Sequence, residues 1–185
     1  YQAASKRRRN PRIMSGHSKW SQIKHKKELT DKKRGQIFSK LSRLITLAAK
    51  KGTDPKTNST LFQAIEKAKT ANMPKENIDK AIKKISDKDQ IQLEELFIEA
   101  TGPGGVVLRI KAITDNRNRT FAEIKKILAD YGLKVAQPGS LSWMFNRAVS
   151  LPDPASQEKL DKLLKALDDQ DEVEDVNSNL TDDNL

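Results

Sequence analysis

The chain has 185 residues, a formal charge of +10 and no cysteine, and its length suffices for one large domain or two small ones with a buried core. Without cysteine there is no disulfide, thiolate zinc site, iron–sulfur cluster or cysteine nucleophile. No apolar run approaches the roughly 18 residues that span a bilayer, so a soluble protein is expected, in the cytoplasm or, alternatively, in the mitochondrial matrix. The charge is unevenly spread. Residues 1–90 hold 24 Lys and Arg against 8 Asp and Glu, net +16, whereas residues 91–185 hold 11 against 17, net −6. Such asymmetry predicts a basic module facing a polyanion and an acidic module with another task.

Residues 1–13 have no apolar periodicity and no acid, and are read as a disordered basic extension. They suit the tail of an arginine-rich transit peptide, a basic nucleic-acid arm, or sequence upstream of a start at Met14; the missing initiator favours the last. Next comes the tract His17-Ser18-Lys19-Trp20-Ser21-Gln22-Ile23-Lys24-His25-Lys26-Lys27, continued by Lys32-Lys33-Arg34. It contains both histidines of the protein and one of its two tryptophans. A charge run is often only a solvated face, but rings interleaved with cations suit phosphates and exposed bases.

From Thr30 or Asp31 as cap, Ile37, Phe38, Leu41, Leu44, Ile45 and Ala48 recur at helical spacing, and Gly52 stops the helix behind Lys50 and Lys51. Gly35 is expected to mark a bend. Leu61, Phe62, Ile65 and Ala68 predict a second helix; Pro74 opens a third, striped by Ile78, Ile82 and Ile85. These make a small helical domain, residues 14–88, with Lys67, Lys69, Lys75, Lys80, Lys83 and Lys84 on its outer faces.

At 89–180 the period changes. Leu96, Ile98 and Ala100 alternate, Gly102-Pro103-Gly104-Gly105 turns the chain, and Val106, Leu108, Ile110 and Ala112 alternate back as a hairpin. Residues 114–119 are read as a loop, and Thr120 to Glu123 as a capping box opening a helix with Phe121, Ile124, Leu128 and Tyr131 inward. A strand is expected around Ser140–Phe145, with Trp143 and Phe145 in packing. Asp153 and Pro154 then start a leucine helix, and Val173–Asn177 closes the sheet at its edge. The fold class is α+β: a three-helix domain followed by a mixed or antiparallel sheet with helices on one face. Residues 181–185 form an acidic tail.

The candidate nucleic-acid contacts are Lys19, Lys24, Lys26, Lys27, Lys32, Lys33 and Arg34 for phosphates, and Trp20 or His25 for stacking on a base. Arg117 and Arg119, at a helix N-terminus that attracts anions, form a second surface. The competing reading of residues 114–120 is a turn and cap shaped by Asp115, Asn116 and Asn118. Two histidines without cysteine make a metal site unexpected. Gly102–Gly105 lacks the nucleotide-loop patterns. No cofactor is expected, nor a catalytic constellation, so the chain is not expected to be an enzyme.

Several long motifs carry a family resemblance: Gly16-His17-Ser18-Lys19-Trp20, Ile23-Lys24-His25-Lys26-Lys27, Lys33-Arg34-Gly35-Gln36-Ile37-Phe38, Ala71-Asn72-Met73-Pro74-Lys75-Glu76-Asn77-Ile78, Gly102-Pro103-Gly104-Gly105-Val106, Thr114-Asp115-Asn116-Arg117-Asn118-Arg119-Thr120 and Gly139-Ser140-Leu141-Ser142-Trp143-Met144-Phe145. Over about residues 14–147, and more weakly 156–180, the chain resembles the YebC/PmpR-like proteins, which include the mitochondrial translational activator of cytochrome c oxidase subunit I. The resemblance implies an N-terminal helical domain and two α/β domains, the third inserted into the second. Here Asn146 runs within a few residues into the leucine helix, so the inserted domain is expected to be missing near 148–155. The resemblance also implies a DNA-binding transcriptional regulator or, alternatively, a translation factor on ribosomal RNA. A membrane-surface or scaffold module is the remoter reading; no membrane partner is expected, because mutual packing accounts for the apolar helix faces.

Overall fold

The computed structural model describes residues 30–86, 92–151 and 153–180. The tract from His17 to Lys27, the extension 1–13 and the tail 181–185 lie outside the described residues.

Three helices pack first: α1 (Asp31–Ala49), α2 (Ser59–Thr70) and α3 (Lys75–Lys83). Thr30 caps α1 by accepting the Lys33 amide, and the helix runs unbroken through Gly35, so no bend forms there. An isolated glycine costs about 1 kcal/mol in a helix but does not break one whose neighbours pack. Asn58 caps α2 through its side-chain oxygen and donates to the carbonyls of Ala48 and Gly52 at 2.8 and 2.7 Å, binding the α1–α2 turn to both helices. Pro74 stands one residue earlier than expected, as the cap of α3 rather than its first residue. Ile45, Leu61, Ala64, Ala68, Ile78 and Ala81 form the centre of this core.

The second unit is a four-stranded antiparallel sheet in the order β3-β1-β2-β4, with β1 (Glu94–Thr101), β2 (Val107–Thr114), β3 (Lys134–Ala136) and β4 (Val173–Ser178). Alternation assigns Leu96, Ile98 and Ala100 of β1 and Leu108, Ile110 and Ala112 of β2 to one face. Helices α4 (Arg117–Asp130) and α5 (Pro154–Asp169) cover that face with Ile124, Leu128, Leu160, Leu163, Leu164 and Leu167. Asp153 caps α5 with Pro154 at its first position, and β4 lies at the edge, both as expected. The two units share apolar surface where Ile113, at the end of β2, is buried in the helical core.

Three expectations for this unit are corrected. Residues 117–119 are helical: Asn116 caps α4 through the Arg119 amide, so Thr120 is a buried interior residue and not a cap. Phe121 lies partly outside the core, 37 % exposed. Residues 142–146 are a 3₁₀ turn, and the third strand lies earlier, at Lys134–Ala136. The buried Glu99 carboxylate takes the amides of Gly139 and Leu141, so this stretch finds its hydrogen bonds on a side chain instead of a ladder. Trp143 is exposed and Phe145 half-buried.

Asn179 closes the fold. Its side-chain oxygen accepts the Val107 amide at 3.0 Å, while its amide donates to the carbonyls of Gly105 at 3.0 Å and Arg147 at 3.1 Å. One buried side chain thus joins the β1–β2 turn to the segment leading into α5. Leaving such partners unsatisfied costs about 1–3 kcal/mol. Asn179→Ala is expected to lower the stability of this unit by that amount in urea unfolding, and an unchanged midpoint would remove Asn179 from this role. Asn179→Asp, which keeps the acceptor and loses both donors, should not restore it.

Candidate nucleic-acid interface

Of the cations assigned to phosphate from the sequence, Lys32, Lys33 and Arg34 fall within the described residues; Lys19, Trp20, Lys24, His25, Lys26 and Lys27 do not. The three lie consecutively in the first turns of α1, so their side chains diverge around the helix. Lys33 points inward. Its ammonium is 2.6 Å from Asp168 and 2.9 Å from Asp169 at the end of α5. Burial alone would lower its pKa, but the hydrogen bonds and charges of the two aspartates raise it above the usual lysine value. Lys32 and Arg34 are exposed; Arg34 is 3.7 Å from Asp31, and Lys32 has no ion-pair partner among the described residues.

More of α1 is spent on the same contact. Lys40 donates to the Asp168 carbonyl at 2.6 Å and Arg43 to the Asp171 carbonyl at 2.6 Å. The last turn of α5 has no basic residue of its own. Its free carbonyls and two aspartates therefore stand at the negative end of the helix dipole, where cations from α1 satisfy both. Lys67 of α2 adds a pair to Glu174 at 3.1 Å. The basic and acidic halves of the sequence thus partly neutralise each other.

The second predicted surface is also internally engaged. Arg119 binds Asp115 at 2.7 Å and the Glu172 carboxylate, and Arg117 faces Glu94 at 3.5 Å. Glu172 is buried and fully partnered. The Thr114 hydroxyl donates to it at 3.1 Å, and the Thr120 hydroxyl and Arg119 guanidinium also donate. Burial pushes its pKa up, but the bonds from Thr120, Arg119, Thr114 and Gln170 outweigh that and hold it below the usual carboxylate range.

These contacts bring the starts of α1 and α4 to one cleft of about 400 Å³, lined by Gln36, Arg43, Arg119, Glu123 and residues Asp169 to Glu172. Its acids answer its arginines, so it offers a polyanion little net attraction. The uncommitted cations lie elsewhere. Lys75, Lys80, Lys83 and Lys84, on and just after α3, are exposed and without ion pairs among the described residues. Among these residues, no group of three His, Asp or Glu is placed to hold a metal ion, and no helix is long and apolar enough to cross a membrane.

A surface not anticipated from the sequence is the outer face of the sheet. Phe97, exposed at 47 %, lies beneath Lys111, and Arg109 lies over the Phe145 ring at 4.8 Å. The signal was present in the register: Phe97 occupies the odd positions of β1 with Glu95 and Glu99, opposite to the core residues Leu96 and Ile98.

The depressed Glu172 pKa gives a signed pH dependence. A carboxylate held below its usual value stabilises the fold fully above that value, and the contribution is lost as pH falls through the folded-state pKa. Urea unfolding near pH 7 and near pH 4 should show Glu172→Gln to be the less stable protein at neutrality and to lose less on acidification than the wild type. Equal losses in both would mean that Glu172 does not carry the acid sensitivity.

Residues 18–88 match the TACO1/YebC protein N-terminal domain and residues 93–152 the TACO1/YebC second and third domain. A protein of Pseudothermotoga lettingae is 48% identical over 146 residues, covering 78% of this chain and 58% of the relative. One of Halothermothrix orenii is 45% identical over 177 residues, covering 93% and 68%. Both are named "Probable transcriptional regulatory protein". The chain thus spans little more than half the length of the first of these relatives. The crystal structure of a conserved hypothetical protein, Aq1575 from Aquifex aeolicus, superposes with a TM-score of 0.77 at 29% identity, covering 88% of this chain and 96% of that one. With both domain matches and relatives at this identity, the chain belongs to the TACO1/YebC family.

Proposed function

We propose that this chain is a nucleic-acid-binding regulator of gene expression that works by binding and not by catalysis, with the helical unit as its grip. The observation that carries this reading is the partition of cations on that unit. Those facing the α+β unit are consumed by its carboxylates and carbonyls, while Lys32, Lys75, Lys80, Lys83 and Lys84 face outward without partners among the described residues. Added to the tract from Lys19 to Lys27, they form an excess of positive charge that phosphates would neutralise. The relatives' name, with its reference to transcriptional regulation, supports DNA as the ligand.

One observation favours a second reading, a translation factor on ribosomal RNA. The outward cations are almost all lysine, whereas Arg43 and Arg119 are turned to internal partners. Lysine grips phosphate as a point charge; bidentate reading of guanine is commonest with arginine. A lysine surface holds a backbone without choosing a sequence, which suits a structured RNA at least as well as an operator.

Neutralising four to eight phosphates implies a slope of log affinity against log salt of about −4 to −7 on duplex DNA. Lys80→Glu with Lys83→Glu and Lys84→Glu should flatten that slope and weaken binding to all sequences alike. A slope near zero in the wild type would sink the proposal. Crosslinking in cells separates the two readings: recovery with promoter DNA supports the first, and ribosome co-sedimentation lost on Lys24/Lys26/Lys27→Glu supports the second.

A further inference from the structure

The first half of α1 is held differently from the second. No residue of the helix before Leu44 is buried, and none of residues 31–37 belongs to either apolar core; Phe38 and Leu41 only reach the margin of the helical one. Gly35 adds the poorest helix former short of proline, with nothing within 4 Å of where a Cβ would stand. Thr30 caps this start and Asp31 suits the dipole there, but helices in proteins persist mainly by packing one face on a partner. The partner here is polar. Lys33, Gln36, Lys40 and Arg43 follow one another at helical spacing as a stripe. Each of these side chains bonds to Asp168, Asp169 or Asp171. Asp168 is central, because its carboxylate spans two turns of α1, 2.6 Å from Lys33 and 3.7 Å from Lys40.

The stretch so held is the one that carries charge outward. Lys32 and Arg34 flank Lys33 on the exposed side, and the basic tract ending at Lys27 joins the chain just before Thr30. Where these cations stand relative to the lysines of α3 depends on whether the chain is helical from Asp31 onward. A frayed start spreads them over many arrangements, and binding then carries the cost of ordering them. Two opposite effects therefore meet at Asp168 and Asp169. As charges near a phosphate-binding surface they repel the ligand; as anchors of α1 they set its cations in place. The geometry decides for the second effect. The side chains of Asp168, Lys33 and Lys40 are 8 %, 22 % and 10 % exposed and neutralise one another out of a phosphate's reach.

We propose that Asp168 and Asp169 are positioning residues for nucleic-acid binding. By holding the first turns of α1 in a helix, these two carboxylates fix the place from which Lys32, Arg34 and the tract before them meet phosphate. This rests on the nucleic-acid reading of the chain and inverts what charge alone predicts, since two acids here raise the affinity for a polyanion.

The test follows the full chain by amide hydrogen exchange and by binding to a fluorescent DNA duplex and an RNA hairpin. In Asp168→Asn with Asp169→Asn, the amides of residues 35–39 should exchange faster while those around Ile45 and Leu61 keep their protection. Both probes should bind on the order of ten-fold more weakly, at an unchanged slope against salt, because the number of phosphates contacted stays the same. Adding Gly35→Ala, which favours the helix where a methyl group meets nothing, should restore most of the affinity. Gly35→Pro changes no charge and breaks the same turns, so it should reproduce the loss independently of how well the double variant folds. Tighter binding by the double variant, with a steeper slope, would mean that the carboxylates compete with phosphate for Lys33 and Lys40, and would overturn the positioning role. Unchanged exchange at residues 35–39 would overturn it too, as would full affinity in Gly35→Pro; the nucleic-acid reading survives each of these results. Failure of the wild type to bind either probe would overturn both.

Discussion

The end of α5 is the constraint around which the two units are arranged. A helix that closes on Asp168 and Asp169 gathers two carboxylates and its own orphan carbonyls at the negative pole of its dipole, with no cation in its last turn. Left in water, that end would fray. Lys33, Lys40 and Arg43, spaced along one side of α1, cap it from another unit. The bonds therefore join modules at the same time as they finish a helix. Partly exposed pairs of this kind contribute modestly one by one, but several on one rigid helix act together. The same geometry sorts the lysines of α1 into those that hold the protein together and those left to face outward.

Buried polar groups perform a similar joining task inside the α+β unit. Glu172 gathers donors from β2, α4 and, through the Gln170 side-chain amide, the α5–β4 connection, and Asn179 gathers the β1–β2 turn and the segment before α5. An apolar core sets which faces meet but leaves the exact seating of loops loose. A buried carboxylate or amide tolerates no such looseness, because each missing partner is costly. Glu99 works the same way on the outer face, where it fixes the segment carrying Trp143.

Much of this was legible locally. The stripes through Ile45, Leu61 and Ile78, the cap at Thr30, the Asp153–Pro154 helix start and the alternation on both sides of Gly102–Gly105 each depend on neighbours a few residues away. What escaped depends on distant partners. The Ser140–Phe145 stretch reads as a strand until a carboxylate some forty residues earlier takes its amides. β3 has three residues, too few for a period to show. Lys32, Lys33 and Arg34 look equivalent in sequence; only α5, more than 130 residues away, distinguishes the middle one. Charge composition revealed two modules of opposite sign without revealing that they spend part of that charge on each other.

The position of Asn179 has a consequence for how the chain folds. The helical unit is closed by contacts between residues close in sequence, and such contacts form early because little loop entropy opposes them. The sheet is different: β4 pairs with β2, and Asn179 reaches back 72 residues to Val107. During synthesis from the N-terminus the helices can assemble while the sheet still lacks its edge strand and its clasp. Until β4 arrives, β2 is an unpaired edge next to a hydrophobic surface, the arrangement most prone to pairing with another chain. The protein's exposure to misassembly is thus concentrated in the short interval before its last described residues join the sheet.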